Sequence, residues 1–202
     1  MVRKPKQERS KATVDAIVKA AALCVAENGY EGTSLRKIAD RAGVGVGSIY
    51  EYFEDKEMIY EAMYNNEVKE LVQFISEITP EIVKLDTRSA IIQLLQRFKL
   101  FMQREDELHL KLVQQSAGRN MNINVGSEPL NDVLSRLAIQ YVMQNPEAAR
   151  IKSISSLSYV LIHGGIAVIV KHLADPNPPI SFDELAETIG TIVESYGQFQ
   201  MK

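Results

Sequence analysis

The chain has 202 residues, a hydrophobic fraction of 46% and a formal net charge of −3. This length allows one large domain or a small domain joined to a larger one, and the apolar content is sufficient for a core. The longest apolar run, residues 157–170, contains polar residues and is shorter than the roughly 20 residues that a membrane-spanning helix needs. No apolar segment follows the basic N-terminus, which argues against a secretory signal. With one cysteine, Cys24, expected as a buried thiol, these features predict a cytoplasmic protein without a membrane segment.

Positive charge is concentrated at the N-terminus. The first eleven residues contain one acidic residue, Glu8, and five basic ones: Arg3, Lys4, Lys6, Arg9 and Lys11. A basic arm on a mildly acidic body suits a protein that contacts phosphates at one end only. Such runs are also commonly solvated tails, so the arm alone does not decide between the two interpretations.

The N-terminal elements follow from apolar spacing and capping residues. Apolar residues at helical spacing predict a first helix over 9–28, which Asn28-Gly29 ends because both residues tolerate the left-handed conformation. Thr33 is expected to cap a second helix that extends to Ala42. Gly43-Val44-Gly45 interrupts it, and helical spacing resumes over 46–53. Asp55 is placed to cap a long helix from Lys56 to Pro80.

Further helices are expected along the rest of the chain. Their predicted ranges are 87–104, 106–117, 128–144, 148–174 and 181–199, with a loop over 118–126 and a rigid connector over 175–179. Ser181 and Glu184 have the spacing of a capping box for the last helix. No credible strand and no internal repeat are found, so the predicted fold class is all-α.

The most informative segment is 33–56. Two short amphipathic helices joined by a glycine-containing turn are typical of the helix-turn-helix, whose second helix enters the major groove of DNA. Gly43, Gly45 and Gly47 do not indicate a nucleotide-binding loop, because they follow a helix and the last glycine of the G-x-G-x-x-G pattern is replaced by Ser48.

The segment TSLRKIADRAGVGVGSIYEYFEDKEMI, residues 33–59, resembles the N-terminal domain of the tetracycline-repressor (TetR) family of bacterial regulators. The resemblance extends over residues 9–60 without gaps; beyond residue 60 only the helical layout is similar. It implies a three-helix DNA-binding domain with a basic arm at 1–54 and a larger helical effector-binding and dimerisation domain at 55–202. It also implies a repressor that a small-molecule effector releases from a palindromic operator.

The resemblance assigns DNA contacts to residues at matching positions. Arginine suits a bidentate contact with guanine, and a helix start with free amides and hydroxyls suits a phosphate. The family has a phosphate-binding lysine where this chain has Lys56. Gly45 and Gly47 depart from the pattern, since neither offers a side chain to cap or to contact a base. The candidate DNA-binding residues are Thr33, Ser34, Arg36, Val46, Ser48, Tyr50, Tyr52 and Lys56.

A single helix-turn-helix contacts too few base pairs for specificity, so we expect a homodimer. Small residues within the apolar helix at 151–170 would allow close helix approach, and this helix and the last helix could form a four-helix interface between subunits. The alternative is that both helices belong to the core of one subunit.

The middle helices carry aromatic and methionine side chains that could line a pocket for an apolar or amphipathic effector, although such a stripe is also typical of plain core. The candidate effector-binding residues are Phe98, Phe101, Met102, Gln115, Tyr141, Tyr159 and His163.

The remaining residues indicate no catalytic chemistry. His109, His163 and His172 lack metal-ligand spacing, and no nucleophile motif is found, so we expect no metal, no cofactor and no enzymatic activity. The alternative is a helical small-molecule-binding protein or enzyme whose helix-turn-helix is vestigial. Arg36, Tyr50, Lys56 and the basic arm argue against it.

Overall fold

A computed structural model describes residues 8–117 and 128–200, and every regular element within these ranges is helical, as the sequence predicts. The basic arm up to residue 7 and the expected loop at 118–126 lie outside the described residues. The helices are α1 (Glu8–Gly32), α2 (Leu35–Ala42), α3 (Val46–Tyr50), α4 (Lys56–Ile82), α5 (Thr87–Met102), α6 (Arg104–Ala117), α7 (Glu128–Gln144), α8 (Ile154–Tyr159), α9 (Ile166–Ala174) and α10 (Phe182–Gln200).

Three of the predicted helix ends, at Gly29, Asp55 and Ser181, have the expected chemistry. Gly29 breaks α1 with φ 70° and ψ 171°. The Asp55 carboxylate accepts a hydrogen bond from the Met58 amide at 2.8 Å, which caps α4. Ser181 Oγ accepts from the Glu184 amide at 3.1 Å, and a Glu184 carboxylate oxygen accepts from the Ser181 amide at 2.8 Å, completing the capping box.

The predicted cap at Thr33 is wrong. Its hydroxyl donates to the Gly29 carbonyl at 2.7 Å, because the break at Gly29 brings that carbonyl close to the start of α2. Ser34 is the N-cap instead, and its hydroxyl accepts from the Lys37 amide at 3.3 Å.

Two helix boundaries also differ from the prediction. Pro80 does not end α4, because the exposed proline lies in the last turn and the Val83 amide still donates to Thr79. The predicted helix over 148–174 is broken after a 3₁₀ turn at Ala148–Arg150, where Ile151 is extended and buried. A Cβ on Gly197 would lie 3.3 Å from the Ile151 side chain, so this break packs the chain against α10.

Two apolar clusters form most of the core. The first cluster joins α1, α2, α3 and the first turns of α4 with Leu108 and Leu112 of α6. The second cluster joins the C-terminal half of α4 with α5, α6 and α7. Because α4 contributes to both clusters, it connects the helix-turn-helix to the helices that follow. The helix α10 packs closely on α5, where a Cβ on Gly190 would lie 3.2 Å from the Arg88 carbonyl oxygen.

The longest apolar helical segment is Ile154–Ala174, which consists of α8, a π-helical stretch at Val160–Gly165 and α9. With 21 residues it is long and apolar enough to cross a membrane, contrary to the expectation from the shorter run at 157–170. None of the residues in its most apolar 18-residue stretch is buried within the subunit. We name it the exposed apolar helix. Length and composition are weak evidence for a membrane span, since an apolar helix that packs against protein has the same composition.

Candidate functional site

The turn between α2 and α3 is fixed by backbone geometry at Gly43. This residue has φ 69° and ψ 31°, and its amide donates toward the carbonyls of Ala39 and Asp40. The Val44 amide also donates to Ala39 at 3.0 Å. A residue with a Cβ is strained in this left-handed conformation, so glycine allows the sharp turn that sets α3 against α2.

The two short helices separate buried from exposed residues cleanly. Ile38 of α2 and Ile49 of α3 are fully buried in the first cluster. Tyr50 is 56% exposed and Val46 is 37% exposed. These two residues lie four positions apart and therefore on one face of α3. The outward face of α3 is thus available for contact with another molecule.

Polar contacts hold α2 against the end of α1. Arg41 makes two hydrogen bonds to the Glu27 carboxylate, at 2.6 and 2.8 Å, and this interaction lowers the pKa of Glu27. Lys37 donates to the Gly32 carbonyl at 2.8 Å. Arg36 and Ser34 are exposed at the start of α2. Lys37 and Arg41 therefore orient the helix, and Arg36 projects from it.

Lys56 lies beside the start of α2. Its ammonium group donates to the carbonyls of Tyr30 and Thr33, both at 3.4 Å, and lies 5.5 Å from the centre of the Tyr60 ring. It brings a positive charge next to the Ser34 cap, where the helix dipole is also positive. Ser34 and Lys56 are thus neighbours in the fold although 22 positions separate them.

Four of the eight predicted DNA-contact residues are less accessible than the others. The Thr33 side chain is 2% exposed and its hydroxyl is engaged by Gly29, so it is not presented to a phosphate. Ser48 is half-buried in α3. Tyr52 is also half-buried and packs against the first cluster. The outward surface therefore consists of the exposed residues Ser34, Arg36, Val46 and Tyr50, with the half-buried Lys56 beside Ser34.

A cavity of about 590 Å³ lies between α4 and the helices that follow it. Most of its wall is apolar, and three of the predicted effector-binding residues line it: Phe98, Phe101 and Met102. Phe101 stacks on Phe74 with ring centres 4.8 Å apart. This volume suits a small organic molecule or part of a larger one.

The other four predicted effector-binding residues do not line this cavity. Tyr141 is held outside it by hydrogen bonds to the Leu85 carbonyl and the Thr87 hydroxyl, at 3.3 and 3.1 Å. Gln115 is exposed, with its side chain next to Gly29. Tyr159 and His163 lie together on the outer face of the exposed apolar helix, with ring centres 4.4 Å apart. The residue types of these four side chains suggested a pocket, but in the folded chain they lie away from the cavity.

Polar residues of the cavity wall were missed at the sequence level. They are Glu57, Tyr60, Glu61, Tyr64 and Glu67 of α4 and His109 of α6. The sequence does contain a pattern that could have indicated them, because the α4 residues recur every three or four positions and therefore share a helix face. Only the packing of α4 shows that this face borders the cavity.

His109 is buried in the wall, with 6% of its surface exposed. Its Nδ1 lies 2.5 Å from a Glu67 carboxylate oxygen, and its ring stacks on Phe101 at 4.5 Å. Burial by itself lowers the pKa of His109, but the hydrogen bond to Glu67 and the charges of Glu67, Glu70 and Glu105 outweigh burial and raise it above the ordinary value. The protonated imidazole is therefore more favoured at this position than in a histidine exposed to water.

The α2–α3 geometry is that of a helix-turn-helix, and known regulatory proteins are similar to this chain in the same segment. Residues 12–63 match the family model described as bacterial regulatory proteins, tetR family. The fatty acid metabolism regulator protein of Bacillus subtilis is 30% identical over 118 residues, which span 58% of this chain and 58% of that protein.

Solved structures share the complete fold. A TetR-family transcriptional regulator from Mesorhizobium loti superposes with a TM-score of 0.69 at 17% identity, covering 96% of this chain and 98% of that one. The transcriptional regulator FadR from Bacillus subtilis, solved in complex with stearoyl-CoA, gives a TM-score of 0.59 at 18% identity, covering 90% and 98%. At this identity the likeness concerns the fold alone. The family match therefore covers the N-terminal segment, and the remainder of the chain shares the fold of these regulators.

Proposed function

We propose that this protein is a DNA-binding transcriptional regulator of the repressor type. The outward surface of Ser34, Arg36, Val46, Tyr50 and Lys56 carries the proposal. It combines two cations, a helix start and an exposed aromatic residue on a rigid helix-turn-helix. Arginine and lysine bind phosphates or base edges, and α3 is the element that would enter the major groove. The half-buried Ser48 and Tyr52 would add contacts at the edge of this surface.

The proposed DNA-binding unit comprises residues 1–54, and the regulatory unit comprises 55–202. The regulators to which the chain is similar are not named as enzymes, and we propose a cytoplasmic protein that acts by binding rather than by catalysis. Its basic arm would add phosphate contacts beside the helix-turn-helix.

The protein acts as a homodimer in this proposal, with the exposed apolar helix and α10 at the subunit interface. The large apolar side chains exposed on these helices include Tyr159, Val160, Val168, Ile192 and Phe199. Large apolar side chains left exposed in this way favour a protein–protein interface. Burial of these side chains against a second copy of the chain would explain the apolar composition without a membrane. A two-fold dimer also matches the symmetry of a palindromic operator.

The cavity is the proposed effector site. Its apolar wall, which includes Phe98, Phe101 and Met102, favours an apolar or amphipathic molecule. The FadR complex with stearoyl-CoA supports this choice, because that regulator binds a ligand with a long apolar chain. Since α4 joins the first cluster to the cavity, a ligand there would shift the helix-turn-helix and release the operator.

The proposal is tested by selecting DNA from a pool of randomised duplexes with the purified protein at moderate salt. We expect enrichment of a palindrome whose half-sites are about 34–36 Å apart, one turn of DNA. Binding should weaken as salt rises, because phosphate contacts displace counterions. A folded protein that enriches no sequence and shows no salt-dependent binding to DNA would overturn the proposal. That result would favour a small-molecule-binding protein.

A further inference from the structure

The wall that α4 contributes to the cavity changes from polar to apolar along the helix. Glu57, Tyr60, Glu61 and Tyr64 occupy its N-terminal part. Because the helix rises 1.5 Å per residue, these four residues span about 10 Å of wall. Beyond Glu67 and Val68, the same face carries Leu71, Phe74 and Ile75. A molecule that fits this wall has a polar head at one end and an apolar body at the other.

The polar end combines carboxylates with aromatic rings. Glu57 and Glu61 lie four residues apart, so their negative charges share one face. Both side chains are exposed, and neither forms an ion pair with any other described residue. Two like charges on one helix face raise each other's energy, and a bound cation relieves this repulsion.

The aromatic rings at this end are held in fixed positions. Tyr30 and Tyr60 meet edge to face with ring centres 4.9 Å apart, and the Tyr60 hydroxyl donates to the Tyr30 carbonyl at 3.1 Å. Both residues line the cavity. The Lys56 ammonium already lies 5.5 Å from the Tyr60 ring centre, so this ring has an electron-rich surface positioned for a cation.

We infer that the cavity binds a lipophilic organic cation, with an ammonium head group against Glu57, Glu61, Tyr60 and Tyr64 and an apolar body along Leu71, Phe74 and Ile75. The carboxylates supply opposite charge, and the tyrosine rings supply a cation–π surface. An anionic head group placed at the same end meets repulsion from both glutamates. This inference rests on the proposal that the cavity is the effector site, and it names the effector's chemical class.

The position of the head group also gives a route to the DNA-binding surface. Lys56 holds the carbonyls of Tyr30 and Thr33 immediately before α2, and it shares the Tyr60 ring with the cavity. A second cation at Tyr60 repels the Lys56 ammonium and weakens its hold on these carbonyls. Ligand and operator thus compete for one arrangement of Lys56, and by linkage each lowers the affinity of the other.

The inference is tested with three probes that share a twelve-carbon chain: dodecyltrimethylammonium, dodecanol and dodecanoate. Each is titrated into the intact protein by calorimetry below its aggregation concentration. We expect the ammonium probe to bind about tenfold or more tightly than dodecanoate, with dodecanol between them. Equal or tighter binding of dodecanoate, or of lauroyl-CoA in a parallel titration, would overturn the inference.

A double variant, Glu57→Gln with Glu61→Gln, identifies the charges responsible. It should weaken the ammonium probe about tenfold while changing dodecanol affinity less than about twofold. The matched control is Glu77→Gln, an exposed glutamate of α4 outside the cavity wall, which should change neither probe. Equal effects of the double variant on both probes would show loss of shape rather than charge, and would also overturn the inference.

Operator binding by the unliganded wild-type protein separates this inference from the proposed function. If the protein binds its palindrome but prefers dodecanoate, the inference of a cationic effector is wrong and the proposed regulatory function stands. A protein that binds the ammonium probe but no DNA disproves the regulator while leaving the chemistry of the cavity intact.

Discussion

The helix-turn-helix and the region after α4 present their exposed residues in opposite ways. In α2 and α3, fully buried Ile38 and Ile49 anchor two short helices, and the exposed side chains are mainly polar or small, with Val46 and Tyr50 as exceptions. In the exposed apolar helix and α10, large apolar residues such as Val160 and Ile192 are uncovered within the subunit. The first region is complete in one subunit and presents a surface for a polar partner. The second is completed only when another apolar surface covers it.

The comparison is tested most strongly at the outward surface of the helix-turn-helix. Replacing both Arg36 and Tyr50 by alanine should weaken operator binding by a factor of about 100 or more, since each contact of this kind is worth about 1–3 kcal/mol. Helicity and unfolding temperature should stay near the wild-type values, because both side chains are exposed. Fluorescence anisotropy with a labelled operator measures the loss.

Lys69→Ala is the control for that variant, since it removes an exposed basic residue of α4 far from α3 in sequence. It should leave operator affinity within about twofold of wild type. Undiminished affinity in the double variant would mean that another face of the protein contacts DNA.

The opposite side of the comparison is tested by placing a charge on the uncovered apolar face. Ile192 of α10 is 60% exposed within the subunit. Ile192→Asp should convert the dimer to monomer at micromolar concentration, because burying an unpaired carboxylate in an interface costs several kcal/mol. Analytical ultracentrifugation detects the change in mass, and operator affinity should fall with it.

Leu100→Asp provides a control matched in exposure. Leu100 is 63% exposed but belongs to α5, outside the proposed interface. This variant should remain dimeric. Dissociation of Leu100→Asp, or a dimeric Ile192→Asp, would place the subunit interface elsewhere.

Local sequence rules predicted the first region better than the second, and the reason is physical. The turn at Gly43 and the cap at Asp55 depend on residues within a few positions of one another. Both can therefore be predicted from the local sequence. The cap at Thr33 was misjudged because its hydroxyl is taken by Gly29, whose backbone conformation spacing alone does not specify. Tyr141 and His163 were placed in the effector pocket by composition, but residues distant in sequence decide which face of their helices turns inward.

A substitution at Gly43 tests backbone strain in the α2–α3 turn separately from any loss of side-chain contacts. A Cβ at this position would meet nothing within 4 Å, but the residue has φ 69°. Gly43→Ala should therefore lower the free energy of unfolding by about 1–2 kcal/mol through backbone strain alone. Denaturant titration measures this change.

Gly47→Ala is the matched control, because its Cβ also meets nothing within 4 Å and its backbone lies in a regular helix. This variant should be neutral or slightly more stable. Equal destabilisation by both changes would contradict the assignment of strain to the α2–α3 turn.

The smallest expected effect concerns His109, where the cavity meets the first cluster. Its pKa is raised in the folded protein because the bond to Glu67 and the nearby carboxylates outweigh burial. A raised folded pKa contributes stability that is fully present below the unfolded pKa and is lost as pH rises through the folded pKa. The free energy of unfolding of wild type relative to His109→Gln should therefore be greatest near pH 6 and decrease toward pH 9. Lost packing shifts the variant by a similar amount at every pH, whereas the charge contribution changes with pH. A difference that stays constant or grows as pH rises would mean that the imidazole is held neutral, and Glu67 would then act only as a hydrogen-bond acceptor.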